Sequence, residues 1–285
     1  MACLCTETVP SQTPLPVCRE ALFDDYGRRV PYEGMRVFNQ VSRRYNSLQQ
    51  PDLNYPRILA RLKEHLGVKA GAPEFEAACT GILSSLADDC RMKRLLKGVR
   101  VPFICPPRRP ETSRAAEVYS YVAAAGRAYR AMFPEFDFQD LSKGKAAGDV
   151  HYAPACRYEK FDEARCSGAV VGWYFPNCLS EYDLASQRAQ IKTLPFEDTC
   201  VLSGIVDAAA AIIGSPDLLR NDEAYPHHLC LSAVVDEDDR FFYTFEAYDP
   251  DLWFNRRSQM LAPGVTQVSE AWAGGLTVFR PFSSI

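Results

Sequence analysis

Prolines and glycines bracket the apolar segments in the first half of the chain, and this bracketing constrains the fold more than any other sequence feature. Pro56 opens the segment RILARLKEHL and Gly67 follows it. Pro73 opens a longer segment, EFEAACTGILSSLADDCRMKRLLK, which Gly98 follows. Proline is favoured in the first turn of a helix and glycine just after its last turn. The pattern therefore predicts one helix from Pro56 to Gly67 and another from Pro73 to Gly98.

Two further helices are predicted in the same half. One covers residues 32–48, where apolar side chains recur at the spacing of a single helix face. The other runs through Phe133, with Thr112 or Ser113 as its N-terminal cap and Pro134 as its end. The first thirty residues are rich in Pro, Ser and Thr, which indicates an irregular arm.

Beyond Gly144 the segments become rich in β-branched and aromatic residues, which are typical of strands. Asp198 or Thr199 is placed to cap a helix that opens at Cys200 and stops at Gly214. The other elements predicted here are strands over residues 167–175 and 276–282, a helix over 178–194, and a hairpin over 226–250. The sequence thus predicts an α+β fold, with a helical N-terminal half and an antiparallel β-sheet with helices in the C-terminal half. Three regions follow, which form either two domains or two layers of one: an arm (1–30), a helical region (31–144) and an α+β region (145–285).

Charge and cysteine usage exclude several classes of protein. The net charge of -4 leaves no global basic signature for nucleic-acid binding. No apolar run is long enough to span a bilayer, and the first residues do not resemble a secretory signal. The 11 cysteines form no CxxC pair, which favours free thiols in a reducing compartment. We therefore expect a cytoplasmic protein without a cofactor; delivery into another cell by a signal-less route stays open.

The hairpin of residues 226–250 carries a histidine pair and ends on an aspartate. Pairing Val235 with Arg240 places His228 on the same face as Asp249, because strand side chains alternate between faces. His227 then shares the other face with Glu246 and Tyr248, and a one-residue change in the loop would exchange the two histidines. A carboxylate beside an imidazole fixes its tautomer, so His228 and Asp249 are a candidate base and orienting acid.

Cys200 is the candidate nucleophile that would complete this pair. At the start of a helix, the helix dipole and free N–H groups would lower the pKa of its thiol and could form an oxyanion hole. The segments TCVLSGIVDAAAAII, HHLCLSAVV and FEAYDP follow in the order nucleophile, base, acid. Over residues 198–250 this order resembles the transglutaminase-like and papain-like cysteine enzymes, which include arylamine N-acetyltransferases and bacterial effector proteases and deamidases. The resemblance implies thiol-dependent acyl transfer, hydrolysis or deamidation of an acyl or amide substrate, protein substrates included.

Two weaker constellations are better explained by packing. Cys79 is a second thiol candidate, but it falls inside a predicted helix, where core packing is expected. His151, Cys156, Cys166 and Cys178 are a chemically sound zinc set with poor spacing. We therefore predict no metal site.

The alternative to an enzyme is a non-catalytic binding or assembly protein. Residues 91–109 form a basic segment that could contact an anionic partner, and its cations are Arg91, Lys93, Arg94, Lys97, Arg100, Arg108 and Arg109. Aromatic residues crowd the last quarter of the chain, where an exposed cluster would mark an interface, including one for a homo-oligomer. These are Trp253, Phe254, Trp272, Phe279 and Phe282.

Overall fold

The structure is a computed structural model that describes residues 21–31, 48–142, 151–220, 228–238, 241–248, 250–258 and 272–283. Within these ranges the α-helices are α1 (Tyr55–Leu66), α2 (Ala72–Asp88), α3 (Arg114–Met132), α4 (Tyr158–Ser167), α5 (Leu184–Gln190) and α6 (Ile205–Gly214). The strands are β1 (Val101–Cys105), β2 (Phe138–Asp140), β3 (His151–Tyr152), β4 (Ala169–Phe175), β5 (Cys200–Leu202), β6 (His228–Cys230), β7 (Val234–Val235), β8 (Phe241–Tyr248), β9 (Asp251–Ser258), β10 (Trp272–Gly274) and β11 (Leu276–Phe282). Short 3₁₀ helices cover Lys93–Lys97, Ile191–Thr193 and Pro216–Leu219.

The first sheet has four antiparallel strands in the order β1-β4-β11-β5. Alternate residues of its central strand β4 contact different helices, as the two-residue period of a strand requires. Gly172 lies against Phe103, whose ring packs on Phe161 of α4. Its neighbour Trp173 points toward α2 and donates its indole N–H to the Cys79 carbonyl at 2.9 Å. The sheet is therefore buried by helices that contact alternate side chains.

The second sheet has five strands in the order β10-β6-β8-β9-β2. The β10–β6 and β2–β9 pairs are parallel and the remaining pairs are antiparallel. The α+β fold class is confirmed, although the five-stranded sheet is mixed, while the four-stranded sheet and a two-stranded sheet of β3 and β7 are antiparallel. Strands β1 and β2 precede residue 145 and yet pair with β4 and β9, so both sheets join the two predicted halves.

The proline- and glycine-bounded helices form largely as predicted. The Asn54 side chain accepts a hydrogen bond from the Arg57 N–H at the start of α1, and Gly67 ends that helix in the left-handed conformation, with φ 67°. Ser113 caps α3 by accepting from the Ala116 N–H. The predicted helix from Pro73 to Gly98 instead ends at Asp88, followed by a 3₁₀ turn. The helix predicted over residues 32–48 lies almost entirely outside the described residues.

The helix predicted to open at Cys200 starts later. Residues Cys200–Leu202 form strand β5, and α6 begins at Ile205 after Gly204. The cause is tertiary, because β5 pairs with β11 and so extends the four-stranded sheet. The Asp207 carboxylate accepts the Gly204 N–H at 2.9 Å and thereby caps the helix. The helix predicted over residues 178–194 also shortens, to α5 and one 3₁₀ turn.

Candidate functional site

A cleft of about 1000 Å³ opens where three parts of the fold meet. Its walls are the C-terminal end of α1, the loop of residues 106–112 between β1 and α3, and the first two turns of α3. Arg165 of α4 and Phe282 of β11 also line it. The volume is at the upper end of the range for small-molecule sites.

The local sequence explains why an open space forms here. Pro106, Pro107 and Pro110 lie in the loop, where they lack the N–H groups that a strand or helix would use. Ser113 then fixes the start of α3, while Gly67 ends α1 on the opposite wall. The loop therefore stays irregular between two helix ends that are each held by a cap.

A network of charged side chains adjoins the cleft, which Arg108, Glu117 and Arg165 of this network line. Arg165 is 1% exposed and donates from Nη2 to Glu117, itself 9% exposed. Arg108 lies 3.5 Å from Glu117 through Nε and 3.8 Å from Asp162 through Nη1. Arg114 contacts the same Asp162 at 3.4 Å. Three guanidinium groups thus share two carboxylates, which leaves one positive charge in excess.

Some donors of this network have no acceptor. Within the described part of the chain, Nε and Nη1 of Arg165 and Nε of Arg108 are buried and make no hydrogen bond. The Asp162 oxygen closest to Arg165 Nη1 is 3.8 Å away, which is too long for a hydrogen bond. Buried polar groups are nearly always paired, so unpaired donors beside a cleft indicate a place for an acceptor.

The rim of the cleft is also cationic. Lys69, Arg109 and Arg127 line it with exposed side chains, and among the described residues of the lining Glu111 is the one exposed acid. His65 lines the same wall, and its Nε2 is buried without a hydrogen-bond partner among the described residues. Burial lowers the pKa of His65, and nearby Arg127 and Arg61 lower it further, against the opposing effect of Glu64. The charge balance therefore suits a negatively charged ligand.

The predicted basic segment is divided by β1. Arg108 and Arg109 border the cleft, whereas Arg91, Lys93, Arg94, Lys97 and Arg100 lie before the opposite end of this strand. Five residues of strand separate the two groups by about 17 Å. In the group that precedes β1, Arg91 pairs with Asp89, Arg94 lies 3.7 Å from Asp25, and Arg100 donates to the Leu96 carbonyl. The segment is therefore not one continuous basic surface.

Cys200 does not have the environment predicted for a nucleophile. Its side chain is fully buried in β5, and burial raises the pKa of its thiol to about 12. A reactive cysteine needs an accessible thiol with a lowered pKa. His228 lies in the other sheet, on β6. Asp249 lies outside the described residues, so the complete triad stays a prediction on which we base no function.

The hairpin register differs from the predicted one by one residue. Leu229 pairs with Phe245 and Cys230 with Thr244, which sets His228 opposite Glu246. The cause is the intervening chain, because β7 pairs with β3 rather than with β8. His228 Nδ1 lies 3.2 Å from Glu246 Oε2. The carboxylate beside His228 among the described residues is therefore that of Glu246; His227 and Asp249 lie outside them.

The remaining candidate residues are dispersed. Cys79 is fully buried inside α2, and burial raises the pKa of its thiol far above the usual value. No three His, Cys, Asp or Glu side chains in the described ranges are arranged to hold a metal ion. Phe254, Phe279 and Phe282 belong to the core, and Trp253 is half-buried. The side chain of Trp272 lies outside the described set.

Comparisons of the whole chain add no relative. Protein-family models, curated proteins and solved structures were compared with it, and none matches. Among the residues that the structure describes, no helix is long and apolar enough to cross a bilayer. The resemblance to cysteine enzymes therefore stays an expectation from residues 198–250.

Sequence reasoning found two residues of the cleft and missed the rest. Arg108 and Arg109 were within the basic segment, whereas Arg165 and Glu117 come from two different helices. A usable signal existed at Glu117. It precedes Tyr121 by one helical turn, on the apolar and buried face of α3, and an acid on such a face calls for a buried cation.

Proposed function

We propose that the protein binds an anionic ligand in the cleft between α1 and α3, through a carboxylate or phosphate group of that ligand. The observation that carries this proposal is the nearly inaccessible Arg165, whose Nε and Nη1 have no acceptor among the described residues. The rim cations Lys69, Arg109 and Arg127 add long-range attraction for the same charge. This is the binding-protein alternative, located at one end of the basic segment.

The chemistry of the cations supports this ligand class. A guanidinium group presents several N–H donors in one plane and matches carboxylate and phosphate oxygens two at a time. A hydrogen bond to a charged group contributes about 1.5–3 kcal/mol. Glu117 and Asp162 already neutralise most of the buried network, so the excess charge is small and the ligand need not be highly charged.

Calorimetric titration with pyrophosphate and with citrate tests the proposal. A variant with Arg109→Ala and Arg127→Ala should bind either anion at least 10-fold more weakly than the wild type, because both side chains line the rim. A matched control, Lys93→Ala with Lys97→Ala, removes two cations at the opposite end of β1 and should leave the affinity unchanged. Equal weakening by both variants, or no saturable binding of either anion up to millimolar concentration, would contradict the proposal.

A further inference from the structure

A second polar cluster lies on the more exposed face of the five-stranded sheet, on strands β6, β8 and β9. The register sets His228 opposite Glu246, and Asn255 and Arg257 follow on the neighbouring strand β9. Alternate residues of β9, such as Leu252 and Phe254, are buried in the core. The cluster therefore occupies the side of the sheet that faces away from the main core, where Phe242 and Cys230 form a small second core with Leu184.

Glu246 is held in one position by three donors. Its side chain is only 1% exposed. Arg257 donates to Oε2 from Nε at 2.7 Å and from Nη2 at 2.6 Å, while Asn255 Nδ2 donates to Oε1 at 2.6 Å. Hydrogen bonds from a guanidinium and an amide to both oxygens fix the orientation of this carboxylate.

This fixed carboxylate lies beside the imidazole of His228. Nδ1 lies 3.2 Å from Glu246 Oε2, which is within ion-pair distance although the two atoms do not form a hydrogen bond. A carboxylate at this position favours the tautomer with the proton on Nδ1 and the lone pair on Nε2. The imidazole keeps 18% of its surface exposed, and Nε2 makes no hydrogen bond within the described ranges. Burial lowers the pKa of His228 and Arg257 lowers it further, while Glu246 opposes both. The ring is therefore an oriented neutral base near pH 7.

Arg257 adds a cation beside this base. Its guanidinium and the imidazole converge on the same oxygen, Glu246 Oε2. Negative charge that develops on a reacting molecule next to His228 is stabilised by this neighbour. The arrangement of acid, imidazole and guanidinium suits a reaction in which a neutral base removes a proton and an oxyanion forms.

We propose that His228 is the general base of a hydrolytic site for small anionic carboxylate esters, with Glu246 as its positioning residue and Arg257 as the cation that favours the anion. Nε2 takes a proton from water as the water oxygen bonds to the ester carbonyl carbon. The bond from that carbon to the leaving oxygen then breaks, and the imidazolium returns its proton to the leaving oxygen. Ester and water become carboxylic acid and alcohol. The site is independent of the anion-binding cleft and of Cys200.

Hydrolysis of 4-acetoxybenzoate, an anionic ester, tests this proposal against the neutral ester phenyl acetate. The wild type should hydrolyse 4-acetoxybenzoate roughly 100-fold faster than His228→Gln, which lies within the range for general-base catalysis. His151→Gln removes an exposed histidine on β3 and should keep the wild-type rate. Arg257→Lys should reduce the preference for the anionic ester. The wild-type rate should rise with pH to a plateau, because only the neutral imidazole is a base, and the midpoint of the rise should lie below the ordinary histidine pKa, because burial lowers the pKa of His228.

Glu246→Gln separates positioning from mere packing. Without the carboxylate the pKa of His228 falls further, so the pH at which the rate levels off should move down while the plateau decreases. Equal rates for the wild type and His228→Gln would overturn the proposal. If His228→Gln fails to fold, the wild type is carbethoxylated with diethyl pyrocarbonate. Peptide mass spectrometry then supplies the second readout. Loss of activity in step with modification of His228 is the expected result, and full activity after its modification would overturn the proposal equally.

Discussion

Replacing Glu117 by glutamine should destabilise the protein strongly and at the same time strengthen anion binding. Glu117 is the carboxylate bonded to Arg165, and the two side chains are 9% and 1% exposed. In Glu117→Gln the guanidinium stays buried, and Asp162, at 3.8 Å, is the remaining carboxylate that pairs with it. Removing one partner of a buried ion pair costs about 3–5 kcal/mol. Coulomb's law at about 4 Å and an effective dielectric constant near 20 gives a similar figure, about 4 kcal/mol.

Thermal unfolding followed by circular dichroism measures this loss. For a chain of this size each kcal/mol lowers the unfolding midpoint by about 2–4 °C, so the expected decrease is about 6–20 °C. The matched control is Glu111→Gln, which removes an exposed acid from the same cleft and should cost less than about 0.5 kcal/mol.

Anion binding by the same variant supplies the second half of the prediction. The cleft gains one positive charge, and Arg165 loses the carboxylate that competes with a ligand. Pyrophosphate should therefore bind Glu117→Gln about 10-fold more tightly than the wild type, a difference of about 1.4 kcal/mol. Saturating pyrophosphate should also raise the unfolding midpoint of Glu117→Gln by more than it raises that of the wild type. A decrease of less than 2 °C in the midpoint, or weaker binding of pyrophosphate, would refute the reasoning about this network.

Three other predictions follow from buried groups. Burial raises the pKa of Asp207 to about 6, so the folded state keeps a proton that the unfolded state releases near pH 4. Between pH 4 and 7 the free energy of unfolding of the wild type, measured in urea, should therefore fall by about 3 kcal/mol relative to that of Asp207→Asn. Gly172→Ala places a methyl group 2.6 Å from an aromatic carbon and 3.0 Å from a carbonyl oxygen, and should lower the free energy of unfolding by about 1–3 kcal/mol. Gly168→Ala, with no atom within 4 Å, should be nearly neutral in the same assay. A maleimide at neutral pH should modify exposed Cys166 well before buried Cys200. If mass spectrometry shows the reverse order, Cys200 is reactive and the thiol-dependent mechanism gains support.

Elements with local start and stop signals were predictable from the sequence. Gly67 ends α1 and Ser113 caps α3 through their own backbone and side-chain chemistry, which needs no distant partner. The strand predicted over Leu276–Phe282 forms with the same bounds, because its β-branched and aromatic residues favour a pleated, buried position.

Features decided by distant pairing were not predictable in this way. Cys200 follows a good helix cap, yet pairing with Val278 makes it a strand residue. The position of His228 depends on how β6 aligns with β8, and residues Val234–Val235 leave that hairpin to pair with β3. The choice between Glu246 and Asp249 as the neighbour of His228 therefore rested on one residue of register.

The cleft itself belongs to this second group. Its nearly inaccessible cation, Arg165, lies in the last turn of a helix whose sequence resembles an ordinary solvated surface, YEKFDEARCS. The packing of α4 against the four-stranded sheet, together with the bond to Glu117 of α3, buries that arginine. A charge pattern along the chain shows where cations are, but not which of them lose their contact with water.

The position of β11 has a consequence for biosynthesis. This strand lies between β4 and β5, and its pairing joins Phe175 to Leu276, about a hundred residues later in the chain. During translation β4 and β5 emerge from the ribosome without the strand that separates them, so the backbone edges that pair with β11 stay unpaired until β11 has been made. Chains with such late pairing fold slowly and populate aggregation-prone intermediates. The nascent protein should therefore depend on chaperones that hold it until the central strand is inserted.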